Sequence, residues 1–341
     1  MITVPAWLDD LPKVELHLHL EGAIPLEALW HLLKKHGGAS QVPDIDALRK
    51  KLTYPDFPAF IEAWIWKNGF IQTAEDFTFI SEAVARDLVR QNILYAELFF
   101  SPARFTDRGL SSADLAQAIR RGLDRVQEVE IWLIPDLVRD FGHENAARTV
   151  EEFAELREFG LVGVGMGGSE HLHPPKPFSA VYERARELGF RTSIHAGEAA
   201  GPESVYEALE FLRPDRIGHA THAGRDPELI DILAKTQTPL ELCPLSNVAT
   251  GSIARIEEHP VRNYLDRGLN LSINTDDPGM FHNSLAQEYA VLIEVFEFTP
   301  TEIGSLVLSA AKAAWRPFDA PGLSLAERVS SHPGWADRMA E

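Results

Sequence analysis

Eight short runs rich in apolar and β-branched residues recur along the chain, each separated from the next by a longer stretch whose apolar residues fall at helical spacing. They cover 13–20, 93–100, 130–135, 161–166, 191–195, 216–219, 239–243 and 269–274. The intervening segments 113–127, 146–158, 178–188 and 227–235 carry apolar residues three and four apart and read as crossover helices. Gly189, Gly268 and the Gly37-Gly38 pair stand where such helices should stop, because glycine adopts the left-handed C-terminal conformation without steric cost. Eight is the strand number of a closed parallel barrel, so the expected fold is an α/β (β/α)8 TIM barrel. An open, doubly wound sheet has the same periodicity, which does not report closure. No internal repeat or low-complexity linker divides the 341 residues, so one barrel domain over 1–341 is expected, with a helical C-terminal extension from about 285 that turns irregular around 316–322.

Composition narrows the function classes. With 45% hydrophobic and 24% charged residues the chain can fill a large core. Its 32 Lys+Arg against 51 Asp+Glu give a net charge of −19, which repels phosphate backbones and anionic membranes; nucleic acid and membrane partners are not expected. The one cysteine, Cys243, cannot form an internal disulfide. The opening MITVPAWLDDLPKVELHLHL lacks a basic start followed by an apolar run, and no stretch of about 18 apolar residues occurs. A cytoplasmic protein is the expectation.

The placement of polar residues is more informative. Among thirteen histidines, His17, His19, His195 and His219 lie at the carboxyl ends of predicted strands, and Glu198, Asp276 and Asp277 follow strand ends by a few residues. In a barrel that end is the catalytic face. His17 and His19 are two apart on a strand, so both point to the same side. Alone, that pair reads better as two hydrogen-bonded core histidines. His195 in SIHAGE and Asp276 in SINTDDP bring two more donors to the same rim. Neutral imidazoles with a carboxylate suit Zn²⁺, and a catalytic zinc keeps a position open for water. A single cysteine rules out a CxxC site, and the HxE plus PCxxC signature of the small zinc base deaminases is missing. The run LVGVGMGG holds no lysine to bridge two metals, so one metal per chain is expected.

The ordered set KVELHLHLEGA, SPARF, GMGGSE, HAGE, RIGHATH, CPLSN and NTDDP resembles the adenosine deaminase-like branch of the amidohydrolase superfamily, whose members deaminate adenosine, 6-aminodeoxyfutalosine or adenine. The likeness spans nearly the whole chain. It implies a hydrolase acting on C–N bonds of a small 6-aminopurine, with one Zn²⁺ held by His17, His19, His195 and Asp276. By the same resemblance Glu198 protonates ring N1, and His219 holds and helps deprotonate the attacking water. Asp277 meets N7 and the Gly168 N–H meets N3. Each position has a plainer structural reading: Glu198 as a cap for the segment near Glu203, His219 as a core histidine, Asp277 as a turn former before Pro278. Phe57, Phe60, Trp64 and Trp66 are read either as an apolar lid over the purine or as ordinary helix packing.

Two positions depart from the pattern. Adenosine deaminases usually carry Asp where this chain has Glu21, the residue expected at the ribose 5′ end. A Glu there is common in adenine deaminases, but those tend to have Ser where this chain has Gly168. GMGG and DDPGMFHNSL look more like the nucleoside branch. The mixture fits a nucleoside with an altered 5′ group, such as 6-aminodeoxyfutalosine of menaquinone synthesis. Arg104 then faces a substrate carboxylate or, alternatively, forms a surface salt bridge. Free adenine is the alternative substrate. A zinc-containing binding protein without catalysis is the alternative of a different class, and the presence of both Glu198 and His219 argues against it.

Overall fold

All eight runs form strands, and neighbours pair in parallel: β1 (Lys13–His19), β2 (Ile93–Phe100), β3 (Glu130–Pro135), β4 (Gly163–Val164), β5 (Arg191–Ala196), β6 (Arg216–His219), β7 (Leu240–Leu242) and β8 (Leu271–Ile273). The computed structural model describes residues 3–336 apart from 56, 318, 319 and 321. Regular ladders join β1-β2-β3 and β4-β5-β6-β7-β8. Two seams close the ring. Between β3 and β4, Val162 N–H donates to Leu133 O at 3.1 Å and Leu137 N–H to Gly165 O at 2.8 Å. Between β8 and β1, His19 N–H donates to Asp276 O at 2.9 Å and Asp276 N–H to His17 O at 3.0 Å. Side chains complete this second seam: Leu16 N–H donates to Asn274 Oδ1, and Thr275 donates through both its N–H and its hydroxyl to Glu15. The outcome is the (β/α)8 barrel rather than an open sheet.

Every residue of β1 is buried, as expected for a strand between a packed barrel interior and an outer layer of helices. Its first residue, Lys13, keeps its ammonium in the core by donating to Leu8 O and Leu11 O at 2.7 and 2.6 Å. β4 is only Gly163–Val164, far shorter than the expected 161–166. Large rings occupy the space of absent side chains: a Cβ on Gly163 would lie 2.4 Å from Trp315, and one on Gly165 would lie 2.3 Å from Phe99. Gly37, Gly38, Gly189 and Gly268 take positive φ at the helix ends where the sequence places them.

The longest insertion leaves the carboxyl end of β1 and contains helices Leu26–Lys35, Ile45–Lys51, Phe57–Asn68 and Ala74–Arg90 before β2. It therefore lies on the rim that carries the polar residues. At the other end of the chain, helix Pro300–Ala313 packs on β8 and β1. It lies within the segment from 285 expected as a helical extension. Beyond it, the Trp315 ring lies 3.5 Å from the Arg216 guanidinium, and Arg216 forms buried ion pairs with Glu97 and Glu241. Among the described residues no helix is long and apolar enough to cross a membrane.

Candidate active site

The carboxyl end of the barrel gathers four donors from three places. His17 and His19 come from β1, His195 from β5, and Asp276 from the turn after β8. The Nε2 of His195 lies 3.0 Å from that of His17 and 3.2 Å from that of His19. Asp276 Oδ1 is 3.3 Å from His19 Nε2 and 3.7 Å from His17 Nε2. His17 Nδ1 faces Glu241 Oε2 at 2.8 Å, and His195 Nδ1 faces the Met166 carbonyl at 3.0 Å. Both partners only accept, so both Nδ1 atoms carry the proton and the Nε2 atoms turn lone pairs toward each other. Burial also holds all three imidazoles neutral, lowering His17 to about 3 and His19 and His195 well below the usual histidine range. Converging lone pairs repel unless they share a cation. Donors around a tetrahedral ion at about 2.0–2.1 Å stand roughly 3.3 Å apart, so these spacings fit a divalent metal.

The backbone is bent to make this arrangement. Asp276 and His219 adopt φ of 66° and 62°, left-handed values that cost L-residues energy and that cluster at functional sites. Ser246 donates its hydroxyl to Asp276 Oδ2 at 2.6 Å, which leaves Oδ1 directed at the histidines. Asn247, whose amide oxygen accepts from the Thr221 hydroxyl at 2.7 Å, donates through Nδ2 to His219 Nδ1 at 3.2 Å. The proton of His219 then sits on Nε2, which is buried without a hydrogen-bond partner among the described residues and lies 3.6 Å from Glu198 Oε2. Burial, reinforced by the charges of Glu170 and Asp277, pushes the Glu198 carboxyl up to about 8, which favours its protonated form.

Glu198 sits on the loop after β5, and Glu170 holds that loop. The Glu170 carboxylate accepts the N–H groups of Gly197, Glu198, Ala199 and Ala200 at 2.5, 3.0, 2.7 and 3.1 Å. Asp277 is buried as well, with Oδ1 unpaired among the described residues and its carboxyl raised by burial and by Asp276. Gly22 of HLEG must be glycine, since a Cβ there would fall 1.5 Å from Asp277 Oδ1.

These groups border an open cleft. His19, His195, Asp276, Asp277 and Glu198 line one end; Ser101, Arg104, Asp136, Gly167 and Gly168 line the rest. Phe60, Ile61 and Trp64, on one face of helix Phe57–Asn68, form an apolar wall. Of the four aromatics expected as a lid, Phe60 and Trp64 therefore reach the cleft. Trp66 instead packs on Phe70 and beneath Lys51, and the Phe57 side chain lies outside the described residues. Gly168 has φ of 100°, and a Cβ there would meet Asp140 Oδ2 at 2.1 Å. The glycine thus answers to its backbone conformation and to Asp140. Glu21 accepts from Ser101 N–H at 2.8 Å through Oε1, while its Oε2 is buried and unpaired among the described residues.

Arg104 forms no surface salt bridge among the described residues. Its guanidinium lies 5.1 Å from the Trp64 ring and 5.4 Å from the Phe141 ring. There it lies between the cleft and a second hollow bordered by Asn68, Arg108 and Phe141. Sequence reasoning missed Asp136, Glu170, Glu241, Ser246 and Asn247. Glu241 interrupts an apolar strand and Glu170, Ser246 and Asn247 fall inside distinctive motifs, but spacing alone does not tell which backbone or imidazole each will meet.

Comparison with known proteins bears on this geometry. The adenosine deaminase family model matches residues 12–331. An aminodeoxyfutalosine deaminase of Streptomyces avermitilis is 35% identical over 323 residues, covering 93% of this chain and 89% of the relative. An adenine deaminase of Bordetella avium is 38% identical over 291 residues, 84% of this chain and 92% of that one. Among solved structures, adenine deaminase from Arthrobacter aurescens superposes with a TM-score of 0.87 at 29% identity, covering 94% of this chain and 98% of its own. An amidohydrolase from Burkholderia ambifaria with bound zinc gives 0.85 at 26% identity, covering 95% and 90%.

Proposed function

This chain belongs to the adenosine deaminase family, and from that premise we propose that it is a zinc-dependent hydrolytic deaminase converting a 6-aminopurine nucleoside to the 6-oxopurine with release of ammonia. The observation that carries the reading is the convergence of three histidine Nε2 atoms and Asp276 Oδ1 on one point, beside the buried carboxyl of Glu198. His17, His19, His195 and Asp276 would hold one zinc. Bound there, zinc would supply Lewis acidity that lowers the pKa of water to about 7.

The chain's own residues supply the remaining chemistry. His219 Nε2–H offers a hydrogen bond to the attacking water and holds its oxygen toward C6. In this tautomer it is a donor, so it positions water rather than taking its proton. Glu198 protonates N1 as the C6–O bond forms, which lets the ring accept the electron pair without becoming an anion. Glu198 then takes up one proton of the water, passes it to the departing amine, and recovers the remaining C6 hydroxyl proton as the 6-oxo group forms, which returns it to its starting protonated form. The C6–N bond breaks, leaving ammonia and the 6-oxopurine. Asp277 meets N7, and the Gly168 N–H, which donates to no group among the described residues, meets N3.

With the 6-amino end at the histidines, a 5′ substituent points toward Ser101, Asp136 and Arg104. The hollow beyond Arg104, with Arg108 at its edge, supports a nucleoside extended at 5′ by an anionic group, such as 6-aminodeoxyfutalosine. The test follows the ultraviolet change on deamination of adenine, adenosine and 5′-extended adenosines in parallel. A nucleoside should exceed adenine in kcat/KM by at least about tenfold, because unpaired polar groups in a site cost several kcal/mol. Adenine as the best substrate would contradict the nucleoside assignment.

A further inference from the structure

Glu170 belongs to GMGGSE, yet it does not border the cleft, and the reaction as described makes no use of it. It is 3% exposed, and its carboxylate accepts four successive N–H groups from the segment that carries Glu198. Four amides aimed at one point form an anion-binding nest, and its curvature depends on Gly197 at φ of 75°. Neighbouring contacts fix the same segment from the other side. The Ser252 hydroxyl donates to Glu198 O at 2.7 Å, and His222 N–H donates to Gly197 O at 2.8 Å. Arg139, fully buried, donates to His195 O at 2.7 Å and offsets the Glu170 charge without pairing with it directly. A segment of five residues with no regular structure, 197–201, is thereby held on both sides, and its one side chain facing the cleft is Glu198.

We propose that Glu170 is a positioning residue for the proton donor: its carboxylate sets the conformation of 197–200 and so the aim of Glu198 at the substrate. It touches neither the substrate nor the donors that surround the metal position. Its effect should therefore appear in kcat and be absent where Glu198 has already lost its proton. The inference rests on the assignment of Glu198 as acid.

The experiment is a double-mutant cycle with chemical rescue. Glu170→Ala should lower kcat about 10–100-fold, with KM changed less than about threefold and zinc content retained. Added formate, filling the vacated nest, should restore part of the lost kcat. In a Glu198→Gln background the same substitution should lower kcat by less than about threefold. Should Glu170→Ala not fold, Glu170→Gln, which keeps the shape and one acceptor, should lower kcat about tenfold with the same dependence on Glu198. Equal effects in both backgrounds, or a kcat at the unsubstituted level with only a lowered Tm, would overturn the proposal. If Glu198→Gln alone turns over normally, the acid assignment fails; if it is crippled and the Glu170 variants are not, only this inference fails.

Discussion

Glu198 shows how surroundings choose a role for an ordinary side chain. A carboxyl in water is ionised at neutral pH, but this one is buried at the cleft end beside Asp277, with the Glu170 charge behind it, and its pKa is pushed up to about 8. In the proposed reaction the active form is the protonated one, so the sign follows: activity should fall as pH rises through the raised pKa. In a pH series, kcat should decline at the alkaline end, and that decline should vanish in Glu198→Gln. The same variant keeps the shape of the side chain, so zinc should remain while kcat drops about 10²–10⁴-fold, the usual worth of a positioned acid. Turnover close to that of the unsubstituted chain would return Glu198 to a structural role.

Elements differ in how much of them the sequence displays. All eight strands were legible, because alternation of β-branched runs with helically spaced segments is a local property of the chain. The extent of β4 was not, since it depends on the rings of Phe99 and Trp315 entering the space beside Gly165 and Gly163. The cluster of His17, His19, His195 and Asp276 was visible as strand-end polar residues. The partners that orient it, Glu241 and Ser246, lie on β7 and on the helix Pro244–Ala249 that follows it, and depend on closure of the ring. Helix Phe57–Asn68 illustrates both limits. Its sequence is apolar nearly all round, so only the fold tells that Phe60 and Trp64 face the cleft while Trp66 does not. Trp64→Ala should raise KM about 10–100-fold with a smaller change in kcat, since stacking of a base on an aromatic ring is worth about 1–3 kcal/mol. A changed kcat at constant KM, measured in steady-state kinetics, would remove the wall from substrate binding.

For the whole molecule, the site at one end of the barrel is tied to the packing at the other. His17 leans on Glu241, Glu241 pairs with Arg216, and Arg216 pairs with Glu97 beneath Trp315. Arg216→Met should cost about 3–5 kcal/mol in denaturant unfolding, because two carboxylates lose their buried counter-charge. A cost under about 1 kcal/mol would show that the network is dispensable. Binding to the folded chain alone stabilises it in proportion to RT ln(1 + [L]/Kd), so removing the metal should lower Tm. The most direct measurement is a zinc titration of the chelated chain, with ammonia release from a 6-aminopurine nucleoside as readout. Activity should be absent at the start, rise linearly with added zinc and level off at about one equivalent per chain. Full activity in the metal-free chain, or a plateau only at two equivalents, would contradict a single zinc held by His17, His19, His195 and Asp276.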